Sequence, residues 1–348
     1  MMNIIKNSAF RSADAVLRYI LALINCMQPT CITLFAGVGG SSLGAHLAGY
    51  KELLATDFNP LAAENFGNYF KDEKYVPYWV TDIWDISPMD LLRRTMLQVG
   101  ELCLLVITAP CQGFSVASGK FDPLDPRNAL FLRGIEFVKE ILPFVAIFEN
   151  VPGMLNPNLT PIMNEIKIRL EDDLKDYKVS CFKFNSLFYG VPSDRERLIF
   201  ICIRKDIFRF KPLIPPVTHD ISQFAICKIA PEIQAIEFGQ SKKIIRLPHE
   251  FMPTITATEG IRYRQDNKWF KLSENEDYLR RFQSFPDDFQ LNGSLSQKCK
   301  MIGNSVPPNL MANILRYVKH EILCFPYELT AGSNTNSQQL ALPPLNLN

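Results

Sequence analysis

The sequence predicts an α/β fold, a mostly parallel sheet covered by helices on both faces, followed by a small second domain. Three observations predict it. Between residues 31 and 204, short apolar runs alternate with stretches of helical periodicity, the pattern of repeated βαβ units. The first apolar run ends in Phe35-Ala-Gly-Val-Gly-Gly40, a glycine-rich turn of the kind that lets a backbone approach a nucleotide-like ligand. After Lys205 the alternation breaks, and prolines and basic residues take over.

Taken in order, the strand candidates are 31–35, 52–57, 78–82, 103–108, 144–148, 179–185 and 198–203, with helices expected at 61–70, 128–140 and 162–174. In such a sheet, ligands bind outside the carboxyl ends of the strands, so the residues closing each run carry the functional signal. The first run closes on the glycine turn. The second closes on Asp57, about 20 residues further on, where an acid can hold ribose hydroxyls. Phe58 follows, with a ring able to stack on a purine. The third closes on Thr81-Asp82-Ile83, a second acid on the same rim. No lysine-bearing phosphate loop is present, which argues against a triphosphate; the three strand ends together point to an adenosine-containing cofactor.

The fourth run ends in Thr108-Ala-Pro-Cys-Gln-Gly-Phe-Ser115. An isolated cysteine is usually a small core residue. Here Pro110 redirects the chain just before Cys111, and small polar residues follow, which places the thiol on the ligand-binding rim, where thiols react. The fifth run ends in Phe148-Glu-Asn-Val-Pro-Gly153 and carries Glu149 to the same rim, although a helix-start acid or an ion-pair partner is the plainer use of that residue. The stretch Tyr189-Gly-Val-Pro-Ser-Asp-Arg-Glu-Arg197 enters the seventh run, with Arg195 and Arg197 two apart, on one face of an extended chain, suited to an anion or a base carbonyl.

Bulk properties add limits rather than identity. A chain of 348 residues, 47% of them hydrophobic, can bury a large core, and a net charge of +1 leaves any nucleic-acid surface to local clusters. The nine cysteines are scattered without a paired spacing, which argues against a disulfide framework and a metal site and fits reduced, intracellular thiols. Residues 15–27 are fairly apolar, but Arg18 interrupts them and the run is too short to span a bilayer; an amphipathic helix is the plain reading, a signal peptide the alternative, and Met27 a second candidate start. The expected organisation is an N-terminal extension (1–28), a catalytic domain (29–204), a small domain (205–294), a return to the catalytic domain (295–325) and a disordered tail (326–348). Residues 208–250 hold five prolines and are locally basic, so they read either as a small basic domain or as a solvated, loop-rich insertion.

These blocks, in this order, resemble the cytosine-5 DNA methyltransferase family, over residues 31–317 with 208–250 outside the match. Phe35–Gly40 resembles the family's cofactor loop, Pro110-Cys-Gln its nucleophile loop, Glu149-Asn-Val its ENV block, Arg195-x-Arg197 its paired arginines, and Gly303-Asn-Ser-Val-Pro-Pro308 its last cofactor block. Arg281-Phe-Gln-Ser-Phe-Pro-Asp-Asp288 resembles the segment that precedes that block. Three positions depart from the family pattern: Ser193 stands where a glutamine is common, Phe270 where an arginine is expected, and Thr108-Ala109 precede the Pro-Cys pair. They touch loop packing and DNA-backbone contacts, not the reaction class.

The resemblance implies a Rossmann-like S-adenosylmethionine-dependent methyltransferase domain with a small target-recognition domain. It implies S-adenosylmethionine held by Phe35, Gly37, Gly39, Asp57, Phe58, Asp82, Ile83, Pro110, Asn304 and Ser305, with Cys111 as nucleophile, Glu149 and Arg197 on the base, and Arg195 supporting the site. The expected substrate is double-stranded DNA with the target cytosine flipped out, under a clamp formed by residues 115–127, including Ser115, Ser118 and Lys120. Lys242, Lys243 and Arg246 are the candidate phosphate contacts. No metal is expected. The remaining expectations are a monomer without membrane attachment, a separately acting restriction endonuclease as possible companion, and an intracellular site, cytoplasmic in a prokaryote or nuclear in a eukaryote. The competing readings are a transfer-RNA cytosine methyltransferase of the same fold, a non-catalytic DNA-binding homologue, and a different Rossmann-like enzyme. The RNA-directed branch carries a Cys-Phe-Thr signature where this chain has Ala225-Ile-Cys-Lys228, and the other two readings sit poorly with an intact Pro-Cys-Gln and Glu-Asn-Val.

Overall fold

The computed structural model describes residues 28–72, 75–110, 125–207, 215–239, 242–257 and 260–323. Its main sheet uses β1 (Thr30–Leu34), β2 (Lys51–Asp57), β3 (Tyr78–Val80), β4 (Leu104–Ile107), β5 (Val145–Asn150), β6 (Tyr177–Asn185) and β8 (Glu196–Arg204), with the two-residue β7 (Ser193–Asp194) between the last two. The order is β3-β2-β1-β4-β5-β8-β6. All neighbours are parallel except β8, which runs antiparallel to both β5 and β6. The reversal follows from chain length. Only residues 186–195 link β6 to β8, too few for the crossover of a dozen or more residues that a parallel neighbour needs.

Each strand expected from the sequence is present, within a few residues of its expected ends. The third is the exception at its far end: β3 stops at Val80, because Asp82 Oδ1 accepts the Trp84 amide at 3.0 Å and turns the chain. The central strands β1, β4 and β5 are buried along their whole length, the mark of a sheet covered on both sides. Alternate residues feed two cores. Ile32, Leu105, Ile107 and Phe148 pack with Phe131, Ile135 and Val138 of the helix Ala129–Ile141, while Cys31, Leu104, Val106 and Ile147 pack with Leu310, Met311 and Ile314 of the helix Pro308–Tyr317. That last helix is the return of the chain to the main sheet.

Residues 215–294, described apart from 240–241 and 258–259, are more ordered than their composition suggests. β9 (Ala235–Phe238), β10 (Ile244–Arg246), β12 (Arg262–Gln265) and β13 (Lys268–Lys271) form an antiparallel sheet in the order β10-β9-β12-β13. The short β11 (Met252–Pro253) pairs in parallel with β7, joining this region to the edge of the main one. Ile236 and Tyr263 from the small sheet share a core with Tyr278 and Phe282 of the helix Glu276–Phe282. The same core holds Ala36, Val38, Leu43 and Phe66, so it joins residues on both sides of the expected boundary at 205. Phe270, at the position where an arginine was expected, stacks on Tyr263 at 5.4 Å between ring centroids.

Candidate active site

The glycine turn stands at the carboxyl end of β1. Phe35 (φ 59°), Gly37 (φ 53°) and Gly39 (φ 97°) all adopt left-handed conformations, which is uncommon for a phenylalanine and marks a backbone held by its surroundings. Asp57, ending β2, fixes the turn: its Oδ2 accepts the Gly37 amide and its Oδ1 the Asn59 amide, both at 3.0 Å. Burial raises the Asp57 pKa, and the amides of Asn59, Gly37 and Phe58 oppose that rise. From the β3 side, the Tyr78 hydroxyl donates to the Gly37 carbonyl at 2.9 Å. Beside this turn Phe58 is 67% exposed, and Asp82 is exposed at the next strand end, while Ile83 is buried.

The last cofactor block closes on the same turn. A Cβ on Gly40 would lie 2.2 Å from the Val306 carbonyl oxygen and 3.2 Å from the Ser305 Cβ, so only glycine permits this approach. Asn304 is exposed there, and the Ser305 hydroxyl donates to the Met301 carbonyl at 2.8 Å. The sequence placed these two regions far apart in the chain; the fold brings them together.

On the other side of β1, the Thr108 hydroxyl donates to the Phe35 carbonyl at 3.0 Å, tying the start of the thiol loop to the glycine turn. Asn150 Nδ2 reaches the Ala109 carbonyl at 3.4 Å, so the ENV block touches the same loop one residue before Pro110. Pro110 is described; Cys111, Ser115, Ser118 and Lys120 lie outside the described residues.

Glu149, the residue before the end of β5, faces β8 across the antiparallel ladder. Its Oε1 is 2.8 Å from Arg197 Nε, and both side chains are about nine-tenths buried. A pair so enclosed fixes the orientation of both side chains, and removing either partner strands the other at a cost of about 3–5 kcal/mol. Arg195 does something else. Its guanidinium is 2% exposed; Nη1 donates to the Ile255 carbonyl at 2.7 Å, and Nη2 to the Gly303 and Ser305 carbonyls, each at 3.1 Å. The two arginines therefore go to different partners rather than to one anion. Ser193, where the family commonly has glutamine, is fully buried, with its carbonyl accepting the Ser186 hydroxyl at 2.6 Å.

The basic candidates of the small sheet divide. Lys242 is exposed, and Lys243 is exposed with Glu237 at 3.5 Å. Arg246 is half-buried: Nη2 pairs with Asp194 Oδ2 at 3.0 Å and Nη1 donates to the Phe251 carbonyl at 2.7 Å. A phosphate contact by Arg246 would have to break that pair. Asp194, Tyr78 and Thr108 were not assigned to the site from the sequence; Thr108, at the end of its apolar run, and Asp194, beside the paired arginines, carried the available signal. Among the described residues, no helix is long and apolar enough to cross a membrane, and no His, Cys, Asp or Glu cluster is placed to hold a metal ion.

The chain matches the model of the C-5 cytosine-specific DNA methylase family over residues 29–242 and 228–320. Type II methyltransferase M1.HphI of Haemophilus parahaemolyticus is 29% identical over 340 residues, covering 85% of this chain and 88% of the relative. Type II methyltransferase M.AplI of Arthrospira platensis is 29% identical over 350 residues, covering 91% and 93%. A solved structure described as a DNA modification methyltransferase encoded within an Escherichia coli prophage aligns with a TM-score of 0.61 at 21% identity, covering 85% of this chain and 99% of its own, a likeness of fold alone. The chain belongs to the C-5 cytosine-specific DNA methylase family and is a DNA (cytosine-5-)-methyltransferase.

Proposed function

We propose that the chain methylates carbon 5 of a flipped cytosine in double-stranded DNA through a covalent Cys111 adduct at carbon 6, with S-adenosylmethionine as donor. The observation that carries this reading is the enclosed Glu149–Arg197 pair, 2.8 Å apart, on the rim that also holds the glycine turn and the start of the thiol loop.

The residues present fit the donor. Gly37 is open, with nothing within 4 Å of the place a Cβ would occupy, and Asp57, exposed Phe58 and exposed Asp82 line the neighbouring strand ends. In this reading Asp57 accepts from the ribose with the lone pairs its two amides leave, Phe58 stacks on the adenine, and Asp82 reads the adenine amine. Phe35, Gly39, Ile83 and Pro110 shape the walls, and Asn304 and Ser305 complete them. When bound, S-adenosylmethionine supplies the electrophilic methyl group that carbon 5 takes up.

The chain's own residues make carbon 5 reactive. The Cys111 thiolate adds to carbon 6, forming a sulfur–carbon bond and pushing the ring electrons toward carbon 5 and N3. Glu149 stabilises that flow at N3 and the exocyclic amine, and Arg197, oriented by Glu149, holds the O2 carbonyl. Loss of the carbon 5 proton then breaks the sulfur–carbon bond and restores the ring. Ser115, Ser118 and Lys120 act in the clamp over the flipped base. Lys242 and Lys243 contact phosphate, with Arg246 holding the strand beneath them.

The Type II names of the relatives support a role in restriction–modification beside a separately acting endonuclease, and their bacterial sources support a cytoplasmic rather than a nuclear setting. The test is direct. Cys111→Ser abolishes methyl transfer to duplex DNA while S-adenosylhomocysteine binding stays near wild type, and wild type forms a denaturation-resistant adduct with DNA containing 5-fluorocytosine. Wild-type turnover in the serine variant would overturn the mechanism.

A further inference from the structure

We infer that Arg195 is a positioning residue that locks the target-recognition region to the cofactor loop, so that binding of DNA and binding of the cofactor reinforce each other through it. The inference rests on the site assignment above and goes beyond it, because that assignment gives Arg195 no role on the base or the cofactor, while its Nη1 and Nη2 donate to backbone carbonyls.

The observations form one continuous path. At its outer end, Arg246 of β10 pairs with Asp194 Oδ2 at 3.0 Å. Asp194 is a junction: Asn185, ending β6, donates to its Oδ1 at 2.8 Å, and the Thr254 hydroxyl donates to its backbone carbonyl at 2.7 Å. The small sheet and the segment after β11 are thus both fastened to the edge of the main sheet at one residue. The next residue, Arg195, carries the connection inward. With one planar group it binds Ile255, on the recognition side, and Gly303 and Ser305, on the cofactor side. These two segments already touch, since a Cβ on Gly303 would lie 2.4 Å from the Thr256 carbonyl. From Ser305 the path continues to Val306, whose carbonyl abuts Gly40 at the glycine turn. Two residues beyond Arg195, Arg197 holds Glu149.

Arginine suits this post for a physical reason. Its planar fork presents several N–H donors at fixed angles, and here three carbonyls on two segments take them. A lysine retains the charge, but its compact ammonium lacks the planar fork and cannot hold both segments in one geometry. A shift of the 254–256 backbone on DNA binding is therefore transmitted to 303–305, and ordering of 303–305 by the cofactor favours one placement of 254–256. Coupling of this kind is reciprocal, and typical values change affinity about 5- to 150-fold.

The experiment compares wild type, Arg195→Lys and Thr254→Val by calorimetry with S-adenosylhomocysteine, alone and with a duplex fragment that the wild type methylates. In wild type the duplex tightens S-adenosylhomocysteine binding, and in Arg195→Lys that ratio falls to about one, with KM for cofactor and DNA both raised more than kcat is lowered. Thr254→Val removes one outer fastening and lowers the ratio partway, which keeps the test decisive should Arg195→Lys fail to fold. A merely structural arginine would lower the melting temperature and leave the ratio at its wild-type value, and that result overturns the inference. A ratio of one in wild type overturns it as well. Failure of the proposed chemistry is seen separately, as wild-type protein that forms no adduct with 5-fluorocytosine DNA.

Discussion

Glu52 is a carboxylate the chemistry does not use, and it makes the stability of the fold depend on pH in a calculable way. It lies near the start of β2, 8% exposed, beside its register partner Cys31. The Ser42 hydroxyl donates to Oε1 at 3.0 Å, whereas Oε2 is buried without a hydrogen-bond partner. Burial pushes its pKa from 4.5 up to about 7, with nearby hydroxyls offsetting part of the rise. The folded protein therefore binds a proton that the unfolded chain releases at lower pH. Stability attributable to this group is fully present below about pH 4.5, falls as pH rises, and is lost above about pH 7. A shift of this size corresponds to about 3 kcal/mol at 1.36 kcal/mol per unit. Glu52→Gln keeps the shape and an acceptor for Ser42 but cannot ionise. At pH 8 the variant is more stable than wild type by up to about 3 kcal/mol, and at pH 5 the difference shrinks toward zero. Urea unfolding at the two pH values measures both. An equal difference at pH 5 and pH 8 would show that folding does not raise the Glu52 pKa and would refute the reasoning.

Two further outcomes follow from contacts in and near the site. Asp57→Ala removes the ribose acceptor together with the group that fixes the glycine turn, so S-adenosylhomocysteine binding weakens by about 0.5–1.5 kcal/mol for each ribose hydrogen bond lost; calorimetry showing unchanged affinity removes Asp57 from the cofactor site. Gly303→Ala forces a methyl against the Thr256 carbonyl and destabilises the fold by about 1–3 kcal/mol, whereas Gly67→Ala, in the helix Pro60–Tyr69 with nothing within 4 Å, stabilises it by about 0.5–1 kcal/mol; thermal unfolding of the two variants in the opposite order would refute the packing argument.

What the sequence revealed, and what it hid, divides along a physical line. β1, β4 and β5 are legible because both their faces are buried, which leaves unbroken apolar runs. β9, β10, β12 and β13 are three or four residues long and keep many exposed side chains, so no run stands out, and the prolines around them suggested loops. Their apolar side becomes visible only when Ile236 and Tyr263 meet Tyr278 and Phe282 from a later helix. The same holds at the site. Asp57, Asp82 and Glu149 could be placed on one rim because each closes a strand or follows one, and the carboxyl ends of parallel strands share an edge.

Pairing could not be read, because a partner is a property of the fold. Arg246 showed the sequence only its charge, and charge alone suggested a phosphate; the structure gives it Asp194, a residue not assigned to the site from the sequence. Arg195 and Arg197 looked alike because alternation along an extended chain puts them on one side. They separate because Arg197 lies within β8, two residues along the same face from Ile199, the register partner of Glu149, and so reaches Glu149 diagonally, while Arg195 falls between β7 and β8. That one-residue break lets its guanidinium turn toward Ile255, Gly303 and Ser305. One arginine thus faces the chemistry and the other holds the frame around it, a division of labour that follows from where the strand begins.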